Sequence, residues 1–124
     1  MAIPRMLDLP PMTLVATSTT EVFIPAGEWQ SSVGIVSAKA WGELRGLNGA
    51  AQARPAVQLA NDTRSPDAAI GIGTALASNG MFDPATASVS TGSKQSIRPG
   101  WLVSLSGGST LATVSVIGTL VLES

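Results

Sequence analysis

Eight carboxylates, Asp8, Glu21, Glu28, Glu43, Asp62, Asp67, Asp83 and Glu123, make up the whole acidic inventory of this 124-residue chain. A pair of them could run glycoside hydrolysis if one were held protonated and the other ionised. Nothing in the spacing selects a pair, and acids scattered over loops between strands more commonly keep a surface wet. There is no histidine and no cysteine, which removes the commonest general base, the commonest metal ligand, thiolate chemistry and any disulfide framework. Serine and threonine are plentiful, but no Gly-x-Ser-x-Gly elbow is present to turn one into a nucleophile. Asn61, Asp62 and Asp67 are oxygen donors of the kind calcium takes, yet their spacing matches no established loop and reads as a solvated turn. Gly71-Ile72-Gly73 invites a nucleotide-loop reading, which fails because no helix-forming segment follows it. Asn61-Asp62-Thr63 fits the N-glycosylation acceptor pattern, but the N-terminus lacks the apolar run of a secretory signal. No catalytic residue, metal or cofactor is expected, and the chain is read as not an enzyme.

Three tryptophans, Trp29, Trp41 and Trp101, are the side chains with most to offer. An indole on a sheet face can stack on a sugar ring, or it can fill a core or a subunit interface. Trp41 is the best placed for an outward role, since Lys39, Glu43 and Arg45 share its parity. Trp29 and the set Lys39, Trp41, Glu43 and Arg45 are therefore candidate surface contacts, to a partner subunit or to a glycan.

These residues must be positioned by strands. No window longer than about ten residues carries a 3.6-residue apolar stripe free of Gly or Pro. From residue 111 onward, Ala112, Val114, Val116, Gly118, Leu120 and Leu122 alternate with Thr113, Ser115, Ile117, Thr119, Val121 and Glu123, the period of two of a half-buried strand. Trp101, Val103 and Leu105 share one side of the preceding run. Ser106-Gly107-Gly108-Ser109 then predicts a tight hairpin between the two. Residues 33–47 form another long strand, with Ala38, Ala40, Gly42, Leu44 and Gly46 inward. Asn48-Gly49 marks a reversal, Pro55 the start or edge of a strand, and Arg98-Pro99-Gly100-Trp101 a type II turn. Counting runs gives an all-β fold, an antiparallel β-sandwich or jelly roll of about eight strands over residues 13–124.

Residues 1–12 carry three prolines among Ile3, Met6, Leu7 and Leu9, which predicts an extended arm. The arm either lies on its own domain or reaches a neighbouring subunit, and Ile3, Pro4, Met6, Leu7 and Leu9 are its candidate partner-binding residues. Only 12% of residues are charged and the formal net charge is −1, while 44% are hydrophobic and the mean hydropathy is +0.32. That balance excludes the electrostatic footprint of a nucleic-acid binder, and no stretch approaches a membrane span. A surface this poor in charge needs either abundant Ser, Thr, Ala and Gly or a partner that covers it.

The proline-bearing arm, the Ser/Thr/Ala/Gly-rich strands without Cys or His, the Arg98-Pro99-Gly100-Trp101 segment and the closing strand of residues 116–122 together resemble small virion proteins of tailed bacteriophages. Head decoration proteins and related jelly-roll accessories are the nearest kind. The resemblance is one of style over most of the chain and rests on no specific motif. It implies a non-enzymatic protein, made in the host cytoplasm and resident in the virion. Such a protein binds the major capsid or another virion protein as a homo-oligomer, often a trimer, and reinforces the shell. The alternative is a carbohydrate- or receptor-binding sandwich that uses an exposed tryptophan.

Overall fold

The computed structural model describes residues 4–31, 35, 37–60, 69–82, 85–89, 95–106 and 110–123. Among them there is no helix, and ten strand segments build two antiparallel sheets. The segments are β1 (Pro4–Ala16), β2 (Val22–Pro25), β3 (Trp29–Ser31), β4 (Ser37–Asn48), β5 (Ala51–Ala60), β6 (Ile70–Gly71), β7 (Gly80–Met81), β8 (Ala85–Ser88), β9 (Gln95–Leu105) and β10 (Ala112–Glu123). The first sheet runs β1, β10, β4 and then β7 with β8, both of which pair with β4. The second runs β2 with β3, both on β9, then β9, β5 and β6. Each sheet thus has four columns, so the ten segments fill eight strand positions. With β2 and β3 counted as one position and β7 and β8 as another, the backbone changes sheet at every step in chain order except β5 to β6, which is the winding of a jelly roll.

The alternation of β10 places Ala112, Val114, Val116, Leu120 and Leu122 in the core, and that of β4 buries Ala38, Ala40, Gly42 and Leu44. The core forms two clusters along the sandwich. Leu9, Leu14, Leu44, Phe82, Trp101, Val103 and Val114 belong to one, and Ile35, Val57, Leu59, Ile72, Ile97, Leu120 and Leu122 to the other. Trp101 is fully buried, and its ring centroid lies 5.6 Å from that of Phe82. Gly118 and Gly42, directly paired in the first sheet, leave the floor low beneath it. A Cβ on Gly118 would lie 3.2 Å from Trp101 Cη2 and 3.3 Å from Leu9 Cδ1. A glycine in mid-sheet, Gly118, is thus what admits the indole from the opposite sheet.

Residues 4–12 are extended but are not a separate arm. β1 pairs with β10 along its length, from Pro4 opposite Glu123 to Ala16 opposite Ala112. Between Leu9 and Met12 the register advances three residues on β1 against two on β10. The extra residue is a bulge, and it holds Pro10-Pro11. Two consecutive residues without an N–H are tolerated there because a bulge interrupts the ladder anyway. The bulge also reverses the phase, so that Leu7 and Leu9 point inward before it and Leu14 and Ala16 after it. β1 is the free edge of the first sheet, and its prolines blunt that edge against pairing with other chains.

The expected hairpin of residues 97–123 does not form, because β9 and β10 lie in different sheets, and Gly107, Gly108 and Ser109 of its expected turn lie outside the described residues. Asn48-Gly49 likewise carries the chain from one sheet to the other, with Gly49 at a φ of 93°. Arg98-Pro99-Gly100-Trp101 is no turn but the middle of β9, and Pro55 sits inside β5. Both prolines face gaps in a neighbouring ladder. Pro99 O accepts from Ala26 N at 2.8 Å, so its missing donor falls where β2 gives way to β3. Pro55 O accepts from Ile72 N at 2.8 Å, so its own falls beside the two-residue β6.

Candidate functional site

On β4 the parity that buries the alanines turns Lys39, Trp41, Glu43 and Arg45 outward. The register then sets neighbours beside them on the outer face of the first sheet. Thr119 lies opposite both Asp8 and Trp41, which makes a row of three across β1, β10 and β4. In the next outward row Glu43 stands between Ile117 and Met81. A trough of about 390 Å³ runs over these two rows, lined by Asp8, Pro10, Trp41, Glu43, Ile117 and Thr119 among others. A second depression of about 310 Å³ is lined by Lys39, Trp41, Met81 and Phe82. Trp41 borders both, so its half-buried indole stands as the partition between them.

Glu43 accepts a 2.8 Å hydrogen bond from Arg45 Nη2. That hydrogen bond, helped by the positive charge of the guanidinium and opposed by slight desolvation, lowers the Glu43 carboxyl below the ordinary carboxylate range. Arg45 is raised in turn by the same bond. The shift runs opposite to that of a general acid, which must hold its proton at neutral pH. Asp8 and Thr119, which also line the trough, have no side-chain hydrogen bond or ion pair among the described residues.

The candidate residues separate into groups. Lys39, Trp41, Glu43 and Arg45 share one face as their parity predicts. Trp29 does not join them: it pairs opposite Ile97 on the second sheet and is packed, half-buried, against the second core cluster. The Ile97 and Leu59 side chains draw it inward. Leu9 is 2% exposed and belongs to the protein's own core, and Leu7 packs against the other cluster. In β1 both side chains face the second sheet. Met6 points outward and is 63% exposed. Pro4 pairs with Glu123, and Ile3 lies outside the described residues. Asn61, Asp62 and Asp67 also lie outside them, and among the described residues no three acidic side chains gather as a metal site. Asp8, Met81, Ile117 and Thr119 were not selected from the sequence, since only the cross-strand register brings them to Trp41.

Three further exposed apolar residues lie near the point where the chain leaves β1 for β2 and near the start of β10. Val15 and Val22 flank that connection, and Leu111 precedes the β10 residue that pairs with Ala16. All three are large apolar side chains open to solvent.

Two four-column antiparallel sheets wound in this order define the chain as a jelly-roll β-sandwich. Among solved structures it is similar to the T=1 particles derived from infectious bursal virus, with a TM-score of 0.67 and 11% identity over 98% of this chain and 31% of that chain. It is similar also to the Gx strain of infectious bursal disease virus, with a TM-score of 0.67 and 11% identity over 99% of this chain and 33% of that chain. The VP2 subviral particle of that virus gives a TM-score of 0.65 and 12% identity over 98% of this chain and 32% of that chain. The chain spans about a third of the length of these chains, and at such identity the likeness is one of fold. No family model and no curated protein sequence matches.

Proposed function

We propose that the protein is a structural component of a virion, made in the host cytoplasm, that binds the shell surface as a homo-oligomer. The observation that carries this reading is the superposition of nearly the whole chain on part of proteins that form virus particles. Those proteins belong to infectious bursal disease virus and not to tailed bacteriophages, so they support a particle component without favouring a phage host. Composition supports it too. With 12% charged residues the surface has little to oppose association. Decoration of the shell as a trimer is the finer form of the reading. Association is through the apolar end of the sandwich, where burying Val15, Val22 and Leu111 removes exposed hydrocarbon from water.

The test is the mass in solution by native mass spectrometry. Deleting residues 1–12 is unsuitable, because it would strip Leu9 from the core and uncover β10. The double substitution Val15→Asp/Leu111→Asp puts two like charges at the contact instead. The wild type is expected as a closed oligomer, a trimer in the finer reading, and the variant as a folded monomer with little change in Tm. A wild-type monomer, or an oligomer indifferent to both charges, would overturn association through this end.

A further inference from the structure

We propose that the trough beside Trp41 is a saccharide-binding site that takes a neutral pyranose ring. An indole in mid-sheet that borders two depressions keeps part of its surface open to solvent. An aromatic face of this kind matches the C–H face of a sugar, which is apolar on one side and ringed by hydroxyls. The rest of the trough supplies what those hydroxyls need. Asp8 and Thr119 lie abreast of Trp41, and neither side chain is engaged by another described residue. Two strand spacings separate the Asp8 and Trp41 backbones, about 10 Å, a width that admits a six-membered ring stacked on the indole with hydroxyls directed to the carboxylate. Glu43 is held in place by Arg45 and offers a second fixed acceptor from the next row.

A few directed polar groups in a cleft otherwise lined by Pro10, Ile117 and Met81 are the usual make-up of a small-ligand site, and 390 Å³ falls within its usual size. The lining selects the sugar's charge as well. Asp8 presents an unpaired carboxylate and the described lining holds no basic side chain, while Glu43 is compensated by Arg45, so sialylated and sulfated sugars are disfavoured. Glu43 is held ionised by Arg45, so the trough binds a glycosidic bond without protonating it. This site is separate from the apolar end of the sandwich, and its use does not depend on assembly.

The experiment is a titration of the intact protein with the methyl glycosides of glucose, galactose and mannose, read on the Trp41 indole N–H by NMR. One stacked ring and a few hydrogen bonds predict saturable shifts with a Kd on the order of millimolar. Trp41→Ala should weaken binding at least tenfold and Asp8→Asn severalfold, and lactose should bind more tightly than sialyllactose. If Trp41→Ala fails to fold, Asp8→Asn and Thr119→Val carry the same comparison from the rim. The absence of indole shifts at about 50 mM of every glycoside, or binding that survives Trp41→Ala, overturns the proposal. So would shifts produced only by a tetralysine peptide and erased by salt, which would assign the trough to a basic side chain of a protein partner. None of these results alters the oligomer mass, so a failure here is distinct from a failure of the assembly reading.

Discussion

Leu9→Ala and Met6→Ala distinguish an N-terminal anchor from a structural edge strand. The two residues lie three apart on β1 and point to opposite faces. Leu9 is 2% exposed and packs over Gly118 beside Trp101, whereas Met6 is 63% exposed. Truncating a buried leucine costs about 2–5 kcal/mol, because the lost transfer energy is compounded by a cavity that closes only in part. For 124 residues the unfolding entropy is about 0.26 kcal/mol/K. Leu9→Ala should therefore lower Tm by about 8–20 °C. Met6→Ala, a surface change, should stay within about 2 °C. The assay is thermal unfolding followed by far-ultraviolet circular dichroism, with native mass spectrometry of the same samples below the transition. A Leu9→Ala protein that melts with the wild type but loses its oligomer would refute the edge-strand argument and restore the arm as an anchor.

Gly118→Ala should destabilise by about 1–3 kcal/mol, since its methyl would crowd two buried side chains and the Trp41 carbonyl. In a Trp101→Phe background part of that cost should disappear, because phenylalanine lacks the far ring edge. A double-mutant cycle with no coupling would show that the indole does not rest on this glycine. At Glu43 the folded-state carboxyl is lowered by Arg45, so the pair's contribution is present above the ordinary carboxylate pKa and lost as pH falls through the lowered one. An NMR titration should place the Glu43 midpoint below the usual range, and Arg45→Ala should move it back up. Exposure of Arg45, at 69%, keeps the effect on stability small, and a midpoint unmoved by Arg45→Ala would remove the cause assigned to it.

Inward and outward faces were legible in the sequence where a strand keeps one phase. β10 and β4 each alternate over a long run, and their buried and exposed residues follow the parity. β1 keeps two phases, with Leu7 and Leu9 on odd positions and Leu14 and Ala16 on even ones, and only a bulge at Pro10-Pro11 reconciles them. A phase break with prolines in it reads as an arm followed by a strand. Turn residues were misleading for a different reason. Gly-rich and Asn-Gly segments report that the backbone reverses, but they carry no information about whether the next strand rejoins the same sheet. In a jelly roll the chain crosses the gap at nearly every step, so β4 to β5 and β9 to β10 look like hairpins locally and are crossovers in fact.

Prolines in β5 and β9 carry the same lesson to the level of the whole sheet. Pro55 and Pro99 each remove a donor from a long strand that has neighbours on both sides. A complete ladder would leave an acceptor unpaired at each. Both missing donors instead face a place where the outer column is short or broken, at β6 and between β2 and β3. Among the described residues the second sheet is therefore continuous through β5 and β9 and interrupted along both rims. The first sheet is built the other way, with three long strands, β1, β10 and β4, side by side and a broken column only beyond β4. Among the described residues a broad and continuous outer face is found on that first sheet, and Trp41 stands on it beside Thr119 and Asp8. The placement of prolines thus decides which side of the sandwich can present a wide binding surface.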